Sequence, residues 1–221
     1  GKKSSLDNQN VVVLDAGDPF QGSLFYTTYK GAAEAEFMEQ MSYDVMAVGN
    51  HEFDDGPEGL AAFVDSVTFP VISGNLDLSS SDLLKDKVAN HVVLEVGGKK
   101  IGVISALAVD TVETSSPGPD VVFPDEIEAL AADVAALEAE GVDIIIALNH
   151  VGLTKDLAIA EAVPGIDVVI GGHSHTLMSN DDEGTPAYPT MVGDTPVAQA
   201  YAYTKYLGHL TVTFDDAGNV T

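Results

Sequence analysis

Four times along the chain a run of apolar residues stops and metal-competent side chains follow within a few positions. Val11-Val12-Val13-Leu14 leads into Asp15-Ala16-Gly17-Asp18, and Val45-Met46-Ala47-Val48 into Gly49-Asn50-His51-Glu52-Phe53-Asp54. Ile144-Ile145-Ile146-Ala147-Leu148 leads into Asn149-His150-Val151-Gly152, and Val168-Val169-Ile170 into Gly171-Gly172-His173-Ser174-His175-Thr176. The runs are continuous rather than alternating, as in strands covered on both faces, so Val11–Asp15 reads as a fully buried strand. Ligands of open α/β sheets sit outside the carboxyl ends of strands, which is where these polar residues fall.

Between the runs lie helical patterns. Gly31–Met41 places Ala33, Phe37, Met38 and Met41 at helical spacing, as core residues. Glu58–Val67 is a second helix, and Lys155–Ala162 a later one. The clearest is Pro124–Glu140, where Ile127, Leu130, Val134 and Leu137 form one apolar stripe that Gly141 ends. Pro70–Asn75 reads as a short strand closing in a polar turn, with Asn75 a turn residue. Val92–Val96 and Lys100–Ser105 flank Gly97-Gly98, a pair suited to a tight hairpin. Asp110–Pro119 has the composition of a surface loop. The tail changes character, with short strands near Thr190–Val192, Val197–Ala200 and His209–Phe214, the last ending in the turn Asp215-Asp216-Ala217-Gly218. Strands alternating with helices early and hairpin-like strands late predict an α/β fold, two packed mixed sheets flanked by helices.

At 221 residues and 45% hydrophobic, the chain can enclose one full core, and no linker-like shift divides it. No apolar run is long enough to cross a bilayer. Acidic residues number 35 against 9 lysines, with no arginine, which argues against nucleic acid as a partner. If a phosphate is bound, no guanidinium fork of this chain clamps it, so positive charge must come from metal, backbone amides or another segment. With no cysteine, disulfides, zinc–thiolate sites and thiol nucleophiles are excluded.

Four of the six histidines, His51, His150, His173 and His175, follow strand ends; His91 begins a strand and His209 lies within one. Together with Asp18 and Asn50 they form an oxygen and imidazole donor set without sulfur, suited to zinc, manganese, iron(II) or cobalt. One carboxylate can share its oxygens between two ions, a role open to Asp18. Two such ions can generate a hydroxide and clamp the entering and leaving oxygens of a displacement at phosphorus.

Taken in order, Gly17–Ser23, Gly49–Asp54, Asn149–Gly152 and Gly171–Thr176 resemble the calcineurin-like metallophosphoesterases, more closely the N-terminal catalytic domain of the 5'-nucleotidase family. The resemblance implies a layered α-β-β-α sandwich and two divalent metal ions. Asp18 would bridge them, Asn50, His150 and His173 would bind one, and His175 the other. His51, oriented by Asp54, would stabilise the transition state or protonate the leaving oxygen while a metal-bound hydroxide attacks in line. The substrate would be a small phosphoester, favouring nucleotides, and the protein periplasmic or extracellular.

The family's first strand carries an Asp-x-His pair, and no histidine here has an aspartate two residues before it. Residues 1–221 therefore read as the catalytic domain without its first strand and helix, and without the C-terminal domain that binds the nucleoside in that family. Two alternatives stand beside this reading. One is a thiosulfohydrolase of sulfur oxidation sharing the architecture; the other is an inactive or structural fragment with an incomplete metal site.

Overall fold

The computed structural model describes residues 3–6, 9–215 and 217–221; Asp216 of the expected terminal turn lies outside them. The chain enters β1 (Leu14–Asp15), then α1 (Leu24–Tyr29) and α2 (Ala32–Met41). β2 (Val45–Ala47) leads through a 3-10 turn, Asn50–Phe53, to α3 (Pro57–Val64) and β3 (Val71–Ile72). Next come the hairpin β4 (His91–Val96) and β5 (Lys99–Ile104), α4 (Thr111–Thr114), and α5 (Glu126–Ala139). β6 (Ile144–Asn149), α6 (Leu153–Ala162), β7 (Val168–Gly171), β8 (Thr190–Val192) and β9 (Thr195–Gln199) complete the order.

Two sheets result. One has three strands in the order β1-β2-β3, parallel throughout rather than mixed; the other has six, β4-β5-β6-β7-β9-β8, and is mixed. The side-chain alternation of β2 separates the layers. Met46 and Val48 point to a cluster with Met38, Leu60 and Phe63 of the helices, whereas Val45 and Ala47 point to Val103 and Leu148 of the facing sheet. On the far side, Ile145 and Ala147 of β6 meet Leu130, Val134 and Leu137 of α5 and Ile159 of α6. Helices, sheet, sheet, helices: the layered sandwich holds because the central runs of β2, β6 and β7 are apolar on both faces.

The hairpin turn forms as its sequence demands, with Gly97 at φ 60° and Gly98 at φ 80°. The stripe on α5 is core as expected. Its first turn is capped by Asp125, whose carboxylate accepts from the N–H groups of Ile127 and Glu128 at 2.9 and 3.0 Å.

Several expectations are corrected. Val11–Asp15 is neither fully buried nor wholly strand: only Leu14–Asp15 pairs, at a sheet edge, and all five residues are half-buried. On α2 the buried residues are Ala35 and Met38, while Phe37 and Met41 are half exposed. Phe37 packs at the surface, edge-on to the half-exposed Phe25 of the neighbouring α1. His209–Phe214 forms no strand; only Phe214 bridges to Val220, because no second strand lies alongside among the described residues. The expected surface loop Asp110–Pro119 contains α4, whose Thr111 is fully buried and donates to the Ala108 carbonyl at 2.7 Å.

Several carboxyls are buried within this frame. Burial pushes Asp15 up to about 6, Asp156 to about 7 and Asp167 to about 6. Between about pH 4 and about pH 7 the folded chain keeps protons that the unfolded chain releases, so stability falls as pH rises through that window. Thermal unfolding followed by circular dichroism is expected to give a higher midpoint near about pH 5.5 than near about pH 8, a gap that Asp156→Asn narrows. A midpoint that climbs with pH across this range contradicts the assignment.

Candidate active site

The four polar segments found in the sequence arrive at one place because their strands are parallel within each sheet and the sheets face each other. Asp18 follows β1 and Asn50 and His51 follow β2; His150 follows β6 directly, and His173 and His175 follow β7. Asp18, Asn50, His150 and His173 are joined. Nε2 of His150 lies 2.9 Å from Oδ2 of Asp18 and 3.2 Å from Oδ1 of Asn50. That same amide oxygen lies 2.9 Å from Nδ1 of His173.

The proton inventory of this cluster is short of donors. Nδ1 of His150 sits 2.5 Å from the carbonyl oxygen of Ala16. A carbonyl only accepts, so Nδ1 carries the proton and Nε2 turns its remaining position toward two more acceptors. Either a second proton or a cation must occupy that position. Without a metal, burial alone would depress the His150 imidazole, but the hydrogen bond and charge of Asp18 reverse this and hold its pKa above the ordinary value. Asp18 shows the counterpart: burial would raise it, and His150 brings it below the usual carboxylate range. His173 is depressed by burial and by the neighbouring His150.

The surrounding backbone is built to permit this approach. Asp18, His173 and His175 adopt positive φ angles of 63°, 71° and 50°, unusual for residues other than glycine. Glu52, which sequence reasoning counted without assigning it work, accepts from the backbone N–H groups of Gly49, Asp18 and Phe20 at 2.6, 2.9 and 3.4 Å. It thereby pins the β1 and β2 loops together. Burial and the neighbouring Asp18 push its carboxyl up to about 8 against those donors.

His51 and Asp54 form a second unit at the edge of the first. Nδ1 of His51 donates to Oδ2 of Asp54 at 2.7 Å, and the backbone N–H of His51 donates to Oδ1 of Asp18 at 2.9 Å. The imidazole is well exposed, with 40% of its side-chain surface open, whereas His150 is closed off at 1%. Only His51 of this pair can meet a solute.

His175 stands apart. Its ring packs edge-on against Tyr203 with centroids 5.2 Å apart, and no hydrogen bond joins it to the other expected ligands among the described residues. By carboxylate and imidazole donors alone, no group of three among the described residues is placed to hold an ion; the amide oxygen of Asn50 is what brings His173 to the Asp18–His150 pair. The donor chemistry still fits a borderline divalent cation, since two imidazoles, a carboxylate and an amide oxygen converge where no lysine intrudes.

Two supporting residues escaped the sequence reading. Gln199, buried at the end of β9, donates to the Gly172 carbonyl at 2.9 Å and accepts from the Thr176 N–H, clamping the turn that carries His173 and His175. Asp156 accepts from Asn149 at 3.1 Å, and Asn149 in turn accepts from Ala106 at 3.1 Å, holding the strand end under His150. A glutamine closing an apolar strand was the one visible signal; the Asp156 contact left none, because it sits in an ordinary helix.

The calcineurin-like phosphoesterase family profile matches residues 2–177. A 5'-nucleotidase of Diplobatis ommata is 46% identical over 223 residues, covering 94% of this chain and 38% of that protein. The crystal structure of a 5'-nucleotidase precursor from Thermus thermophilus superposes with a TM-score of 0.92 at 42% identity, covering 96% of this chain and 44% of that one. The chain thus spans less than half the length of these relatives. A sulfate thiohydrolase from the same genus superposes at 0.77 with 24% identity, a likeness of fold alone.

Gly49 tests the tightness of the site. A methyl group there would collide with Oδ1 of Asp18 and lie 2.8 Å from Oε2 of Glu52. Its φ of −100° is open to any residue, so Gly49→Ala isolates the steric effect. Destabilisation of about 1–3 kcal/mol in a denaturant titration is expected. An unchanged midpoint means the loop is looser than this geometry requires.

Proposed function

Because the chain belongs to the calcineurin-like phosphoesterase family, we propose that it hydrolyses phosphoester bonds with the aid of divalent metal ions, acting on nucleotides as a 5'-nucleotidase does. The observation that carries this reading is the convergence of Asp18, Asn50, His150 and His173 on a position that a second proton on His150 or a bound cation must fill. The identity to 5'-nucleotidases supports the substrate class, and the thiosulfohydrolase reading, resting on fold likeness alone, gives way to it.

In this proposal Asp18, Asn50, His150 and His173 hold one ion, and Asp18 with His175 contributes to a second. Bound divalent ions supply Lewis acidity toward phosphoryl oxygens and acidify coordinated water. The protein's own residues do the rest. Asp18 is held by the His51 N–H at one oxygen and faces His150 with the other, so its carboxylate cannot rotate away. His150 is fixed through the Ala16 carbonyl and His173 through Asn50.

His51, carrying a proton on both ring nitrogens, gives its Nε2 proton to the departing alcohol oxygen and is left as the neutral Nδ1–H form. Its Nδ1 is committed to Asp54, so Nε2 is the nitrogen left to exchange a proton with substrate. A second domain of the parent protein would complete the nucleoside contacts, consistent with relatives more than twice this length. No helix among the described residues is long and apolar enough to cross a membrane.

The test is release of inorganic phosphate from nucleoside monophosphates in the presence of manganese, zinc or cobalt, with a chelator abolishing it. His51→Ala is expected to lower kcat by about 10²–10⁴ while metal binding by calorimetry persists. Asp18→Asn is expected to lose metal binding and turnover together. Full activity in Asp18→Asn would remove the proposal, and a protein that binds no metal would favour the structural-fragment reading instead.

A further inference from the structure

The segment between β5 and α5 is tied to the site at more than one point. Its start is hydrogen-bonded to the strand end that carries His150, with the Ala108 N–H donating to the His150 carbonyl at 3.0 Å. Thr111 anchors the following turn from a fully buried position. Ser115 closes that turn, its N–H donating to the Thr111 carbonyl at 3.0 Å. Its hydroxyl then reaches across 61 residues of sequence to Oδ1 of Asp54 at 2.7 Å.

The consequence lies in how a carboxylate is held. The last torsion of an aspartate is soft, so one hydrogen bond leaves the carboxylate plane free to swing. In Asp54 each oxygen has its own partner: Oδ2 takes Nδ1–H of His51 and Oδ1 takes the Ser115 hydroxyl, both at 2.7 Å. Two partners on opposite oxygens define the plane, and the plane defines where Nδ1–H of His51 must point. The imidazole gains from this because 40% of its side-chain surface is open, so packing holds it on only part of its surface.

We infer that Ser115 is a positioning residue for the His51–Asp54 pair: by fixing the Asp54 carboxylate it holds neutral His51 in the Nδ1–H tautomer, so that Nε2 is the nitrogen that takes up and then delivers a proton, and it joins the 108–119 segment to that group. The serine touches neither substrate nor metal donors; it acts through Asp54. The catalytic consequence rests on the phosphoesterase reading above, whereas the tautomer does not. A serine that merely fastened the loop would leave the imidazole unchanged on removal.

The experiment uses protein labelled with ¹⁵N at histidine, observed by long-range ¹H–¹⁵N correlation at about pH 8, where an ordinary imidazole is neutral. The His51→Gln spectrum identifies the His51 signals. The wild type is expected to show the Nδ1–H tautomer at His51. Ser115→Ala is expected to show a mixture shifted toward Nε2–H, and Ser115→Thr, which keeps the hydroxyl, to restore the original pattern. An unchanged His51 tautomer in Ser115→Ala overturns the inference. Thermal unfolding confirms that the variant compared is folded, and Ser115→Thr serves as the folded control.

Turnover provides the second arm. Ser115→Ala is expected to lower kcat about tenfold with KM within about twofold, since only proton donation is disturbed. The loss is expected to be smaller with p-nitrophenyl phosphate, whose leaving group needs little protonation. An unaltered kcat in Ser115→Ala beside a collapsed kcat in His51→Ala sinks the inference while the phosphoesterase reading stands. Should His51→Ala keep full activity while Ser115→Ala still shifts the tautomer, the function reading fails and the positioning role survives.

Discussion

Everything at the site follows from an excess of acceptors over donors in a buried place. Oδ2 of Asp18, Oδ1 of Asn50 and the carbonyl of Ala16 crowd around one imidazole that has only two nitrogens to offer. Such an arrangement in a low dielectric is costly unless positive charge is present. A chain without arginine, whose 9 lysines are spread among 35 carboxylates, has little such charge of its own to bring there. The need for a second proton on His150 or a bound cation is therefore a property of the polypeptide's own hydrogen bonds, independent of any family resemblance.

The fold meets this demand by bringing strand ends together rather than by shaping a loop. Parallel strands β1 and β2 release their polar residues on one edge, and β6 and β7 do so in the facing sheet. The intervening core of Val45, Ala47, Ile72, Val103 and Leu148 keeps the two edges at a fixed distance. Close approach then needs glycine: a side chain at Gly17 would collide with the Gly49 backbone and the His150 ring. Some backbone strain falls in the same region, in the positive φ angles of Asp18, His173 and His175. The packed sheets over-determine these conformations, which is how such strain persists.

Around this centre the carboxylates divide by task. Glu52 spends its oxygens on three backbone donors and joins two loops; Asp156 steadies the strand end beneath His150; Asp54 faces outward and couples His51 to Ser115. Their environments differ sharply in exposure, from closed at Glu52 and Asp156 to partly open at Asp54. The same functional group thus serves as scaffold in one place and as the orienter of an exposed imidazole in another.

Much of this was legible in the chain before any coordinates. Three of the four continuous apolar runs, at β2, β6 and β7, are strands as their pattern predicts, so their ends, and the polar residues after them, were set locally. The stripe on α5 and the Gly97-Gly98 turn were likewise local, because helical spacing and positive φ are properties of neighbouring residues. What the pattern could not contain was pairing at a distance. Whether Val11–Val13 joins a sheet, whether Phe37 is covered, and whether His209–Phe214 finds a neighbour depend on which other elements lie alongside, and periodicity is silent on that. The contacts that give the site its character, Asn50 with His150 and His173, Gln199 with the His173 turn, Ser115 with Asp54, span tens of residues of sequence and exist only once two sheets have packed. Composition and strand-end chemistry determined that a metal-assisted reaction was available to this protein; tertiary packing alone decided which donors meet, because hydrogen bonds are made by proximity in space and the chain records only order.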